Sequence, residues 1–286
     1  MLCIKRDLYF SLEYFGILKI CNMSASFFYN IPNYILMVLF IILSVVLLII
    51  GLYIFNSLVN KNFVKTFNDQ STSAYINTAA VVLAVVLAFI VSDEWQKYSE
   101  AGYALEEEAN VLYSLYKTTS NMTNSETIQC NIIQYIRHII NIDFPSMKNG
   151  ELPPIGDSLA ELEINILKYE PTTQKDFVLY DKSLDLLNEA VNLRNKRLQS
   201  SAVGIPKELW WVILFGCIVI IIMLWFLSGS MMNHIIMTSL VTAIYASLLF
   251  LAVAFDYPFR GEFSLSSDPF KFVLERIPAS CPYTCN

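Results

Sequence analysis

Charge is scarce in this sequence. Only 15% of its 286 residues are Asp, Glu, Lys or Arg, against about 25% in a soluble globular domain. Together with 55% hydrophobic residues and a mean hydropathy of +0.49, this places the chain in a membrane before any motif is read. Basic charge is scarcer still. The 19 Lys and Arg against 25 Asp and Glu leave a formal net charge of −6, which excludes an overall phosphate-binding surface, so no nucleic acid is expected as a partner. The two histidines, His138 and His234, fall on opposite sides of the membrane in the topology derived below, which argues against a His-based active site. The six cysteines, Cys3, Cys21, Cys130, Cys217, Cys281 and Cys285, are spread along the chain in a pattern that suits reduced thiols better than a disulfide framework. Phosphate-cradling glycine loops, a nucleophile elbow, paired-His metal motifs and an EF-hand loop are all missing. No catalytic residue, metal or cofactor is therefore expected, and the chain is not read as an enzyme.

Uninterrupted apolar length is what the sequence has in quantity. A Lys, Arg or Asp at the centre of a spanning helix costs roughly 2.5–3.5 kcal/mol, so charge-free intervals locate the spans. Tyr34–Phe55 and Ala74–Val91 are two of them. The interval from Glu208 to Asp256 is too long for one crossing of about 20 residues, and the break from Ser228 to His234 divides it into Trp210–Leu227 and Ile235–Phe255. The expected architecture is all-α: an integral membrane protein with four transmembrane helices in two hairpins, and a cytoplasmic helical domain between them. Its parts are an N-terminal tail (1–33), a first hairpin (34–92), the helical domain (93–206), a second hairpin (207–255) and a C-terminal tail (256–286). Tyr34, Tyr75, Trp95, Trp210, Trp211, Phe255 and Tyr257 mark the edges as an aromatic belt would. Lys97, Arg194, Lys196, Arg197, Lys207, Arg260 and Lys271 outnumber Lys61 and Lys65 opposite. The positive-inside rule then makes the large segment and both termini cytoplasmic in the cell membrane. The first 22 residues stand apart, either as a tail with Met23 an alternative start or as a membrane-surface helix.

In the segment between the hairpins, Trp95, Tyr98, Gly102, Leu105, Ala109, Leu112 and Tyr116 recur at three- and four-residue spacing, as a helix seam does. A second seam runs Phe177, Tyr180, Leu184, Leu187, Val191 and Leu198, interrupted by Arg194. Two long helices are therefore expected to continue from the second and third spans. Shorter helices are expected over Ser125–Ile142 and Asp157–Tyr169. Glu106, Glu107 and Glu108 point about 100° apart on a helix, and read as a solvated face; a shared cation site is the alternative. His138 reads as a partly buried structural residue. Cys281 and Cys285 read as a reduced tail, since a closed zinc site needs four ligands.

Inside the spans, polarity comes only from small and neutral groups. Proton relays and charge-coupled transporters place ionisable residues there; this sequence has Asn77, Ala80, Ala84 and Ala88 on one face of the second span, and Ser239, Ala243 and Ser247 on one face of the fourth. Small residues at this spacing let helices approach closely. The same faces can line a pore, with Asn77, Val81, Val85 and Phe89 as the candidate lining.

Three stretches resemble the bestrophin-like domain family of multi-pass membrane proteins, a domain of unknown function. The first holds Trp95, Tyr98, Glu107 and Asn110; the second holds Arg194, Arg197, Pro206 and Trp210; the third is Asp256-Tyr257-Pro258-Phe259-Arg260-Gly261-Glu262. The resemblance covers about 34–277, with Lys117 departing from an expected Arg. It implies a distant similarity to bestrophins, homo-oligomeric anion channels, and hence a homo-oligomer in the lipid bilayer passing a small anion. A non-conducting scaffold or sensor that binds a protein partner through its helical domain is the alternative. In the third motif Pro258 is expected to turn the chain out of the fourth helix and Gly261 to supply an unusual backbone conformation. Arg260 is expected to pair with one of Glu106, Glu107 or Glu108, and Ser267 to cap a short helix from Pro269 to Arg276.

Overall fold

The structure, a computed structural model, describes residues 33–59, 70–154, 157–226, 231–261 and 263–278. Regular structure among these is entirely helical. The helices are α1 (Asn33–Leu58), α2 (Gln70–Thr119), α3 (Glu126–His138), α4 (Phe144–Lys148), α5 (Asp157–Leu167), α6 (Gln174–Ala202), α7 (Lys207–Trp225), α8 (Met231–Phe255) and α9 (Asp268–Arg276), with a π-helical turn, Ile139–Asp143, joining α3 to α4. Four stretches are long and apolar enough to cross a membrane, and they contain α1, the first part of α2, α7 and α8. The Cys281 and Cys285 tail and the first 22 residues lie outside the described residues. The chain divides into two compact units: the described parts of Met1–Ala88 with Trp211–Leu251, and of Phe89–Trp210 with Ala252–Asn286.

In the first unit the buried residues are Leu48 and Leu52 of α1, Ile76, Leu83 and Leu87 of α2, Ile213, Ile220 and Leu224 of α7, and Thr238, Thr242 and Ala246 of α8. The small-residue seam of α8 is thus Thr238, Thr242 and Ala246, one position away from the expected Ser239, Ala243 and Ser247. With lipid as apolar as leucine, close backbone approach and internal hydrogen bonds hold such helices together. Tyr245 supplies such a bond: its hydroxyl donates to the Ala80 carbonyl at 2.9 Å. Gly51 leaves room for the Trp225 indole, whose ring would overlap a Cβ there.

The second unit is a soluble-type core. Leu105, Leu112 and Leu115 of α2 pack with Ile132, Ile136 and Ile139, Leu162 and Ile166 of α5, Leu187 of α6, and Phe270 and Val273 of α9. The first seam holds from Leu105 to Tyr116, whereas Trp95 at its start is half exposed. The second seam is rotated: α6 buries Ser183, Leu186, Leu187, Ala190, Leu193, Arg197 and Ser201, and Phe177 is exposed. A capping box starts this helix. Thr173 Oγ1 accepts the Asp176 N–H at 3.1 Å, and Asp176 Oδ2 accepts the Thr173 N–H at 3.2 Å, which satisfies two donors that a helix start otherwise leaves unpaired.

Three expectations need correction here. The helix after the second span does continue unbroken to Thr119, but α6 stops at Ala202 and α7 starts at Lys207. Pro206 disfavours helical backbone at Ile205, and Gly204 sits where a Cβ would stand 2.6 Å from Asp256 Oδ1 and 2.8 Å from Tyr257 Cζ. Ser267 occupies the cap position of α9 without a side-chain capping bond; the neighbouring Ser266 Oγ instead donates to Asp268 Oδ2 at 2.8 Å. Cys130 is engaged in a disulfide, while Cys217 is free. Sequence spacing could not decide this, because which cysteines meet is a property of the fold.

Candidate functional site

Helix α2 carries all four candidate pore residues, and helical periodicity puts them on one face. Asn77 is exposed, as are Val81 (62%), Val85 (49%) and Phe89 (72%). Thr78, Val82, Ala88 and Ser92 share the exposed surface. The opposite face buries Ile76, Leu83 and Leu87. The expected small-residue stripe therefore divides: Ala80 and Ala84 are partly covered, while Asn77 and Ala88 are open. The exposed α1 residues are large hydrocarbons such as Ile42, Leu43, Leu47, Ile50 and Ile54, the composition of a lipid-facing helix, whereas the exposed α2 face sets Asn77, Thr78, Ala88 and Ser92 among its hydrocarbons.

The second unit holds a buried ionic cluster that reading by sequence missed. Arg197, fully buried, donates from Nε to Glu108 Oε2 at 2.8 Å and from Nη2 to Glu108 Oε1 at 3.2 Å, and Nη2 also reaches Asp143 Oδ2 at 3.0 Å. Glu108 is equally buried, so the solvated-face reading holds for Glu106 and Glu107 and fails for Glu108. The 100° spacing explains the split, since the third glutamate turns onto the seam with Leu105, Ala109 and Leu112. A π-turn widens the helix by one residue, and here it ends at Asp143, whose Oδ1 lies 3.5 Å from His138 Nε2 without a hydrogen bond. His138 is mostly buried, with 17% of its side chain exposed. Burial raises the Glu108 pKa against the opposing pull of Arg197. Burial also works against the Arg197 cation, but its carboxylate partners, Glu108 foremost, more than offset this and keep it charged. The Tyr135 hydroxyl, buried beside them, is pushed up in pKa by desolvation. The only sequence signal for this cluster is the place of Glu108 between Leu105 and Leu112 at seam spacing; Arg197 lies off the expected α6 seam, in the charged run Arg194-Asn195-Lys196-Arg197.

The motif after α8 forms a separate constellation in the same unit. Trp95 stacks on Tyr98 at 5.9 Å, both rings meet Phe255 at 5.2 and 5.5 Å, and the Tyr98 hydroxyl donates to the Phe263 carbonyl at 2.8 Å. Asp256 accepts the Ile205 N–H and so ties the α6–α7 link to the end of α8. Burial raises its pKa to about 6, against that hydrogen bond. Pro258 is buried and Gly261 has φ +80°. Arg260 does not meet a glutamate. Its guanidinium lies 4.2 Å over the Tyr257 ring and donates from Nη2 to the Gly150 carbonyl at 3.4 Å; among the described residues no carboxylate lies within 4 Å of it. Of the expected candidates, Glu108 is already held by Arg197. Arg194 is partly buried, Pro206 exposed and Trp210 partly buried; Glu107 and Asn110 are exposed, and Asn110 lines a groove with α9. No group of three or more potential metal ligands exists among the described residues.

No curated protein matches the chain. Among solved structures, two variants of a bacterial bestrophin homologue from Klebsiella pneumoniae are similar in fold. One superposes with a TM-score of 0.61 at 14% identity, covering 84% of this chain and 96% of its own. The other gives 0.59 at 13% identity, covering 86% and 97%. A further membrane-protein structure matches with a TM-score of 0.61 at 14% identity over 86% and 97%. The family described as bestrophin-like domain matches residues 42–270, four-fifths of the chain and all three sequence motifs. The chain belongs to the bestrophin-like domain family.

Proposed function

We propose that copies of this chain assemble around a shared axis in the cell membrane and conduct small anions along α2, with the helical domain and both termini cytoplasmic. The character of the exposed α2 face carries this reading. A pore-lining helix needs one surface that is neither buried in its own subunit nor built like a lipid-facing wall, and α2 has such a surface in Asn77, Thr78, Val81, Val85 and Ala88. With no charge in the span, ion preference must come from neutral dipoles and width, and Val81, Val85 and Phe89 would form an apolar constriction that gates by dewetting. The cavity within a single subunit has an almost wholly hydrocarbon wall, so a hydrated path calls for several subunits. The K/R asymmetry supports the orientation even though Arg197 is withdrawn into the core, since Lys97, Lys196 and Lys271 stay exposed.

Proteoliposomes provide the test. Purified protein should release a loaded anion, Val85→Ala should raise the flux with little change in ion preference, and Asn77→Ala should shift preference or conductance. An oligomer without flux in all three forms would replace this reading with the scaffold one.

A further inference from the structure

A cavity of about 390 Å³ lies among the helices of the first unit, walled by residues of α1, α2, α7 and α8, with Leu48, Leu83 and Ile221 typical of its lining. This volume lies within the range of small-molecule sites. Besides the Cys217 thiol, four polar side chains line it, and they fall into two classes. Ser44 and Tyr245 spend their hydroxyls on the Phe40 and Ala80 carbonyls. Thr242 Oγ1 and Trp225 Nε1 are buried with no hydrogen-bond partner among the described residues. Thr242 is only 6% exposed, and Trp225 is fixed by Gly51 beneath its ring and by Phe55 at 5.7 Å, so its indole N–H cannot swing to another acceptor without losing those contacts. Unpaired donors in an apolar medium cost free energy that the bilayer cannot relieve. Water held on these two donors would leave most of the volume, walled by hydrocarbon, unfilled, and apolar space stays dry. A charged ligand is excluded, since no ionisable carboxylate or amine lines the space.

We propose that this cavity is a binding site for a compact, uncharged molecule, a hydrocarbon body carrying ester, ketone or ether oxygens that accept from Thr242 or Trp225. At roughly 30 Å³ per water-sized group, its volume holds about a dozen non-hydrogen atoms. A whole two-chain phospholipid is too large. A free small molecule and the ester end of one lipid chain share the required chemistry.

The test uses the full chain and a diazirine-bearing methyl decanoate, with crosslinks mapped by peptide mass spectrometry. Labels should concentrate on the α7 and α8 stretches that contain Cys217, Trp225 and Thr242. Methyl decanoate should compete about tenfold better than dodecane, which has the body but no acceptor. Thr242→Val, which keeps the shape, combined with Trp225→Phe should abolish that preference, and Ala246→Phe should block labelling. Equal labelling in lipid nanodiscs and in lipid-free fluorinated surfactant assigns the site to a free small molecule. Labelling only without lipid, with competition by phosphatidylcholine, assigns it to a lipid chain. Labels spread over exposed residues such as Ile42 and Phe215, or equal competition by dodecane, would overturn the proposal.

Discussion

Arg197→Met is the most informative perturbation of the second unit. The substitution keeps the length of the side chain and removes its charge, leaving Glu108 and Asp143 buried at 0% and 1% side-chain exposure without the guanidinium that now serves both. Removing one member of a buried ionic cluster costs about 3–5 kcal/mol, mainly as the penalty for the stranded charges. For a unit of this size each kcal/mol shifts Tm by about 2–4 °C, so a fall of about 6–20 °C is expected. Glu108→Leu should cost less, because Asp143 still pairs with Arg197. Arg197→Met combined with Glu108→Leu should be less damaging than Arg197→Met alone, since only Asp143 is then stranded. Heating the detergent-solubilised protein and measuring the surviving oligomer or monomer peak by size exclusion gives the ranking. An Arg197→Met protein within about 3 °C of the parent, or a double variant less stable than Arg197→Met alone, would refute the assignment of Arg197 as the hub of this core.

Two further outcomes follow from the junction motif. Because the Asp256 pKa is raised to about 6, the protonated form is the one the fold favours; its contribution is full below about pH 4 and is lost as pH rises through 6. The parent should therefore be less stable at pH 7.5 than at pH 5, by about 1–2 kcal/mol once partial exposure is allowed for. Asp256→Asn, which still accepts the Ile205 N–H, should flatten that slope, and an unchanged slope would rule Asp256 out as its source. Gly204→Ala forces a methyl against Asp256 and Tyr257, and Tyr257 has little freedom to yield under Arg260, so a loss of about 1–3 kcal/mol is expected; a Tm equal to the parent's would show that the link relaxes.

The spans were legible because a membrane penalises each charge so heavily that charge-free length alone locates them. The unbroken run of α2 from span into core was also legible, since its seam keeps one spacing throughout. Glu108 and Arg197 were not. Each looks like an ordinary charged residue on a helix surface, and only packing brings together positions 89 residues apart. The rotation of the α6 seam has the same origin: the buried face includes Ser183, Arg197 and Ser201, which a hydrophobic pattern skips. The α6–α7 break was signalled by Gly204 and Pro206, but the strong apolar periodicity on both sides masked it. Charge alone points Arg260 to a carboxylate, whereas a guanidinium is equally served by an aromatic face and a backbone carbonyl. The fold leaves Asn77, Val81, Val85 and Phe89 on the open face of α2, which sequence periodicity had already grouped.

Anion flux from proteoliposomes tests the central claim most directly. Purified parent protein, reconstituted as an oligomer and loaded with chloride, should release it faster than empty liposomes, and Val85→Ala should release it faster still. An intact oligomer that releases no chloride, with Val85→Ala equally silent, would contradict a pore lined by α2.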